Sequence, residues 1–279
     1  MRPNRLDIGH VPTGTPVDLK IERAGHHRKR LLDEIDAFRE REPYLIREQR
    51  KDWQGRPYRV VTAYDAEQPP DCISQILGDF VNNLRSSLDH LVGQIRLDGP
   101  SKSSAFPICR RRTGQGGSFM ELRQRKLAGI PNPAKKLIER MQPYDRRYGR
   151  PSRARVRWEA LSYLETLWQV DKHRTILLAT SLLSPDSISH NRTGEESSGI
   201  GHRFTPTRDE ADWWLPIDDD DQTFYPKFTV QISLAKPRGF ADDWPDIDGW
   251  ELDGLVDYMY RTVVWDVVPH LSKFIQRAP

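Results

Sequence analysis

The chain has 279 residues, a formal net charge of +3, 30% charged residues and 37% hydrophobic ones. That length is enough to bury a full core, and no stretch approaches the ~18 apolar residues that a membrane span needs. Cys72 and Cys109 show no CxxC spacing, which excludes a disulfide framework and a thiolate zinc site, so both read as small core residues. The opening "MRPNRLDIGHVPTGTP" has no apolar run of the signal-peptide kind, so a cytoplasmic protein without a membrane partner is expected.

Residues 17 to 42 place Val17, Ile21, Leu31, Leu32, Ile35 and Phe38 among many charges, which predicts a helix with a partial apolar stripe ended by Pro43. From 43 to 65 two short runs flank a Gln54-Gly55 turn and predict a β-hairpin, with Pro57 favouring an edge position. The strongest helix starts at Asp71, read as an N-cap. Its apolar residues Ile73, Ile76, Leu77, Phe80, Leu84, Leu88, Leu91 and Ile95 recur at spacings of mostly three and four. The following "GPSKSSAFPICRRRTGQGGS" reads as a loop long enough to move or to fold over a ligand.

Short helices fit 118 to 128 and 133 to 141. A second long helix is expected over 153 to 183, with Leu161, Leu164, Trp168, Leu178 and Leu182 on one face. Strands are expected near "HRFTPT" and "KFTVQISLA", flanking an acidic loop within about 200 to 240. Trp213-Trp214 reads as a packed loop and the DDDD run at 218 to 221 as a solvated tip. Helical spacing returns from Trp250 to Ile275, with Pro269 as a kink or stop. The expected fold is mainly α: one helical-bundle domain over 1 to 279 with about four long helices, a small β-hairpin and additional short strands.

Charge is unevenly placed. Between Arg110 and Arg157 there are fifteen Lys and Arg against Glu121, Glu139 and Asp145, so the remainder of the chain is net acidic. Arg110, Arg111 and Arg112, with Arg146, Arg147 and Arg150 near Tyr144 and Tyr148, offer phosphate contacts beside aromatic surfaces. Such a pattern points to RNA or another polyanion as partner, unless the acidic remainder covers it.

On the wheel of the strongest helix, Arg85 lies about 100° to one side of Leu84 and His90 about 120° to the other, so both border the apolar stripe. Asp89 is placed for an i,i+4 ion pair with Arg85. Asn83, Ser87, His90 and Gln94 form a polar strip along the other flank. Farther on, Asp171 falls on the apolar face of the second long helix, where a carboxylate needs a partner or must be neutral. Arg85, His90 and Arg174 are the candidate partners, and both an interhelical salt bridge and a catalytic role fit.

"RSSLDH", Arg85 followed by four residues and His90, resembles the Rx4-6H motif of the HEPN superfamily of helical domains, many of them metal-independent RNases of toxin or defence systems. The residue after the arginine, often Asn, Asp or His in active members, is Ser86 here. The resemblance implies a homodimer in which Arg85 of one chain meets His90 of the other and RNA is cut by attack of a ribose 2′-hydroxyl. His90 would act as general base or acid and Arg85 would hold the phosphate, with Asn83, Ser87, Asp89 and Asp171 in support and no cofactor. A binding module without catalysis is the alternative. "NNLRSSLDHL", "FPI" at 106 to 108, "IERMQPY" at 138 to 144 and "LETLWQVDKHR" at 164 to 174 are also similar to a family of bacterial proteins of unknown activity, over residues 70 to 183. A metal site built from His26 or His27 with His90 and His173 is a third reading. It lacks HxxxH or HExxH spacing, and adjacent histidines on a helix cannot both face inward.

Overall fold

A computed structural model describes residues 14–64, 66–98, 103–110, 112–113, 118–143, 153–183, 210–216, 229–235 and 251–275. Its elements are mainly helical. Helix α1 spans Pro16–Glu40 and opens on a capping box: the Thr15 hydroxyl accepts the Asp18 N–H at 3.2 Å, and the Asp18 carboxylate accepts the Thr15 N–H at 3.0 Å. Strands β1, Leu45–Trp53, and β2, Arg56–Tyr64, form the expected hairpin. Gln54 and Gly55 both take positive φ, 51° and 75°, as a tight two-residue turn requires.

Helix α2, Asp71–Ile95, is the centre of the core. Ile73, Leu77, Phe80, Val81, Leu84, Leu88, Leu91, Val92 and Ile95 are fully buried along it, and its longest contact is with α1. Asp71 is not the N-cap that the sequence suggests. Pro70 takes that position without a side-chain cap, and Asp71 stands in the first turn, where a carboxylate complements the helix dipole. Short helices α3, Phe119–Lys126, and α4, Asn132–Arg140, lie close to the predicted ranges.

The second long helix, α5, is shorter than expected: it runs Arg153–His173, and Leu178–Leu183 is strand β3. Leu178 and Leu182 sit at helix-like spacing from Trp168, but β3 pairs antiparallel with β5, Thr229–Leu234. Trp213 and Trp214 belong to strand β4, Glu210–Pro216, and not to a loop. Because β4 pairs with β2, the sheet order is β1-β2-β4 and β2 is central. Pro57 is tolerated there because β4 first pairs at Tyr58↔Pro216, one residue beyond the proline. The expected strand at "HRFTPT" and the DDDD run lie outside the described residues.

Helix α6, Leu252–Arg261, continues through a π-helical stretch, Thr262–Val267, into α7, Val268–Ser272. Pro269 therefore neither stops the helix nor leaves it regular. Its ring and missing N–H disturb the ladder one turn back, where the Val268 N–H reaches Val263 in a wide turn. Two ion pairs tie α6 to α1: Arg28 Nη2 to Asp257 at 2.6 Å and Arg39 Nη1 to Asp253 at 3.0 Å. Arg39 Nε also donates to the Val230 carbonyl, which joins α1 to β5. Among the described residues, no helix is long and apolar enough to cross a membrane.

Candidate functional site

Arg85 is a charged side chain inside the core, with 1% of its surface exposed. Its Nε donates to Glu165 of α5 at 2.9 Å, one Nη donates to Asp89 one turn along α2, and the other donates to the Phe106 carbonyl at 2.8 Å. Asp89 in turn accepts the Phe106 N–H at 2.8 Å. The Arg85–Asp89 pair thus takes up both backbone groups of Phe106, which leaves that extended segment without need of a sheet partner. Burial alone would lower the Arg85 pKa, but the Asp89 and Glu165 carboxylates more than offset it and hold the guanidinium above its ordinary range.

The segment 103–110 is consequently fixed at several points. Phe106 is fully buried, the Cys109 N–H donates to Gln142 Oε1 at 2.9 Å, and Arg110 donates to Ser162 Oγ at 2.8 Å and Thr166 Oγ1 at 2.6 Å on α5. Burial pushes the Cys109 thiol up to about 11. This part of the predicted mobile loop is an internal brace.

The brace and its surroundings draw on all four of the quoted stretches. Arg85 and Asp89 come from the first, Phe106 from the second, Gln142 from the third, Glu165 and Trp168 from the fourth. The Arg85 guanidinium lies 4.9 Å from the Trp168 ring centre.

The other predicted residues separate into several environments. His90 is exposed on α2, about 140° around the helix from Arg85. Ser87 is fully buried and donates to the Leu84 carbonyl at 2.7 Å, so it is a packing residue. Arg112 pairs with Glu139 at 3.1 Å. Arg110 and Arg112 are thus engaged with the protein itself. Arg111, Arg146, Arg147 and Arg150, with Tyr144 and Tyr148, lie outside the described residues. His26 is exposed while His27 is half-buried. Among the described residues, no group of three His, Cys, Asp or Glu is placed to hold a metal ion.

Asp171 does lie at the edge of the core, but its partner is none expected from the wheel: it accepts from Asn82 Nδ2 at 2.7 Å. Gly78 makes this approach possible, since a Cβ there would stand 2.3 Å from the Asp171 carboxylate. Desolvation raises the Asp171 pKa, the bond from Asn82 opposes the rise, and Asp79 adds to it. A carboxyl with a raised folded-state pKa binds its proton more tightly folded than unfolded, so its ionisation lowers stability as pH climbs above the ordinary value of 3.8. Asp171→Asn, which keeps an acceptor for Asn82, is therefore expected to melt no lower than wild type at neutral pH. The two melting temperatures should converge as acid protonates the wild-type carboxyl. A mutant clearly less stable at pH 7 would contradict this sign.

Beside this core lies an open cleft of about 560 Å³. Lys20, Arg23 and His27 of α1 line one wall, Asp79, Asn82, Asn83, Ser86 and Asp89 of α2 the other, and Trp168 of α5 closes one end. From Asp79 to Asp89 the α2 wall is about 15 Å long, at ~1.5 Å per residue. Lys20 Nζ reaches Asn83 Oδ1 at 3.5 Å and His27 Nδ1 lies 4.0 Å from Asp79. Sequence reasoning found the α2 wall in part, through Asn83 and Asp89. It missed Lys20, Arg23 and Trp168, which become neighbours only by packing. Comparison with known proteins finds no family model, no curated protein and no solved structure that matches the chain.

Proposed function

We propose that this chain is a helical module that binds a single-stranded polyanion, RNA foremost, in the cleft between α1, α2 and α5. The observation that carries the reading is the pairing of walls. Two cations of α1, Lys20 and Arg23, stand across from the amides and hydroxyl of Asn82, Asn83 and Ser86, while of the two carboxylates in the lining Asp89 is paired with Arg85 and Asp79 lies 4.0 Å from His27. A phosphate backbone needs positive charge along one side and hydrogen-bonding groups that reach sugar or base on the other. The volume lies within the range of built ligand sites, and the length suits a short run of extended chain.

In fluorescence anisotropy with a short labelled RNA, affinity is expected to fall with salt at a log–log slope of about −0.7 per phosphate engaged. Lys20→Glu with Arg23→Glu should weaken binding by roughly tenfold or more and flatten that slope. Arg125→Glu, on the exposed face of α3, serves as the control. Binding that ignores Lys20 and Arg23 but is lost with Arg125 would move the site to the basic segment and sink the cleft reading.

A second reading is the dimeric endoribonuclease that the HEPN resemblance implies, and one observation favours it. His90 is exposed and continues the helical face of Asp79, Asn83 and Ser86 one turn beyond Ser86, next to the end of the cleft. In that reading Arg85 either leaves Glu165, Asp89 and Phe106 to meet a phosphate or acts only by holding them. RNA cleavage in EDTA with cyclic phosphate ends, abolished by His90→Ala and accompanied by a dimer in solution, would replace the binding reading with this one. Binding without turnover supports the module.

A further inference from the structure

We infer that His27 is the third phosphate-contacting group of the α1 wall and makes that contact only when protonated, so that a polyanion enters the cleft together with a proton. The inference rests on the polyanion reading above and adds its regulation. Lys20, Arg23 and His27 follow at spacings of three and four and fall within ~60° of one face of α1, spread over about 10 Å of wall. A strand lying along Lys20 and Arg23 therefore reaches His27 next. The imidazole is half-buried, its side chain 25% exposed, with Nδ1 4.0 Å from Asp79.

Asp79 decides how the ring meets a phosphate. A carboxylate only accepts, so it favours the tautomer that carries its N–H on Nδ1, and Nε2 of the neutral ring is then a bare acceptor. Set against a phosphate oxygen, that nitrogen repels. Protonation places an N–H on Nε2 while the Nδ1 N–H keeps facing Asp79, and the ring becomes a charged donor. The charge balance moves in the same direction. Apart from the Arg85–Asp89 pair, the lining among the described residues carries Lys20 and Arg23 against Asp79, one net positive charge, which a protonated His27 doubles. Around the ring, Arg23 and Arg30 stand one turn away on α1 and are exposed. From α6, Asp257 and Tyr260 are both engaged by Arg28. From α5, Lys172 lies over the Trp168 ring, and Asp171 acts on Asp79 from behind Asn82. Imidazole is the side chain that titrates near neutral pH, where Lys, Arg and ordinary carboxylates keep their charge.

The test is anisotropy with a short oligo(U) that has no terminal phosphate and carries a pH-insensitive dye. The charge of that strand is constant between about pH 6 and about pH 8, the range over which histidine changes charge. Wild type is expected to bind roughly five- to tenfold tighter at the acid end, within the worth of one hydrogen bond to a charged group. Its salt slope there should be steeper by about 0.7, one further phosphate. His27→Gln should bind with no pH response, and melting curves at both ends of the range establish that it is folded. His27→Arg should bind at the alkaline end as tightly as wild type does at the acid end, a gain that no misfolded variant can produce. His26→Gln and Asp171→Asn should keep the wild-type response, which separates His27 from the neighbouring imidazole and from the carboxyl whose pKa burial raises. Wild-type affinity that falls with salt but stays flat with pH overturns the role of His27 and leaves the polyanion reading intact. A pH response that persists in folded His27→Gln overturns it equally. No binding at either end of the range, by wild type or any variant, removes the polyanion reading and the inference with it.

Discussion

Arg85→Met is expected to destabilise the protein by about 3 kcal/mol, the lower end of the cost of breaking a buried ion pair. Methionine fills much of the volume but leaves the Phe106 carbonyl unpaired and two carboxylates without their cation. The lower end applies because the Asp89 and Glu165 side chains are 32% and 24% exposed and can recover some hydration. For a chain of this size that corresponds to a fall in melting temperature on the order of 10 °C. Arg85→Lys should restore little of it, because one ammonium on a flexible stem cannot serve Glu165, Asp89 and Phe106 in three fixed directions. The control is His90→Ala, which should melt with wild type because the imidazole is exposed. If Arg85→Met melts within a degree or two of wild type while an RNA-dependent activity disappears, the arginine is a ligand-contacting group and the brace is incidental.

Phe106→Ala should cost about 3 to 5 kcal/mol, as much as a comparable substitution in the middle of α2, because the ring is fully buried. That is a large effect for a residue in a segment without regular secondary structure. The cause is its position: the ring is part of the buried core while its own N–H and C=O complete the pairing of Asp89 and Arg85. The same geometry predicts slow hydrogen exchange at the Phe106 amide, comparable to core amides of α2. Combined with Arg85→Met, the loss should depart from the sum: Phe106→Ala keeps the backbone carbonyl that accepts from Arg85, but the two residues are direct neighbours and each change loosens the site of the other. A cost under about 1 kcal/mol, or an amide that exchanges like an exposed loop, would show the segment to be detachable after all.

These two results bear on the function as well as the fold. The cleft borrows Asp89 and Trp168 from the brace, so a brace that loosens would move two of its lining residues. Binding measured for Arg85 and Phe106 variants is therefore read only at temperatures well below their melting, whereas Lys20 and Arg23 lie outside the core and can be changed without touching it.

What the sequence determined by itself is whatever is encoded over one or two turns of chain. The α2 stripe, the α1 stripe and the Gln54-Gly55 turn were legible because apolar periodicity and a left-handed dipeptide act locally. So was the border position of Arg85, which follows from the helical period. The tertiary structure decided the rest. Leu178 and Leu182 have helical spacing, yet β3 forms because its backbone finds β5 some fifty residues later, and Trp213-Trp214 becomes strand by pairing with β2. Arg85 turned inward and not toward solvent because Glu165 and Phe106, eighty and twenty-one residues away, supply acceptors that its desolvation demands. The cleft was invisible for the same reason: its charge, its amides and its end wall come from three helices, and only packing makes them one surface.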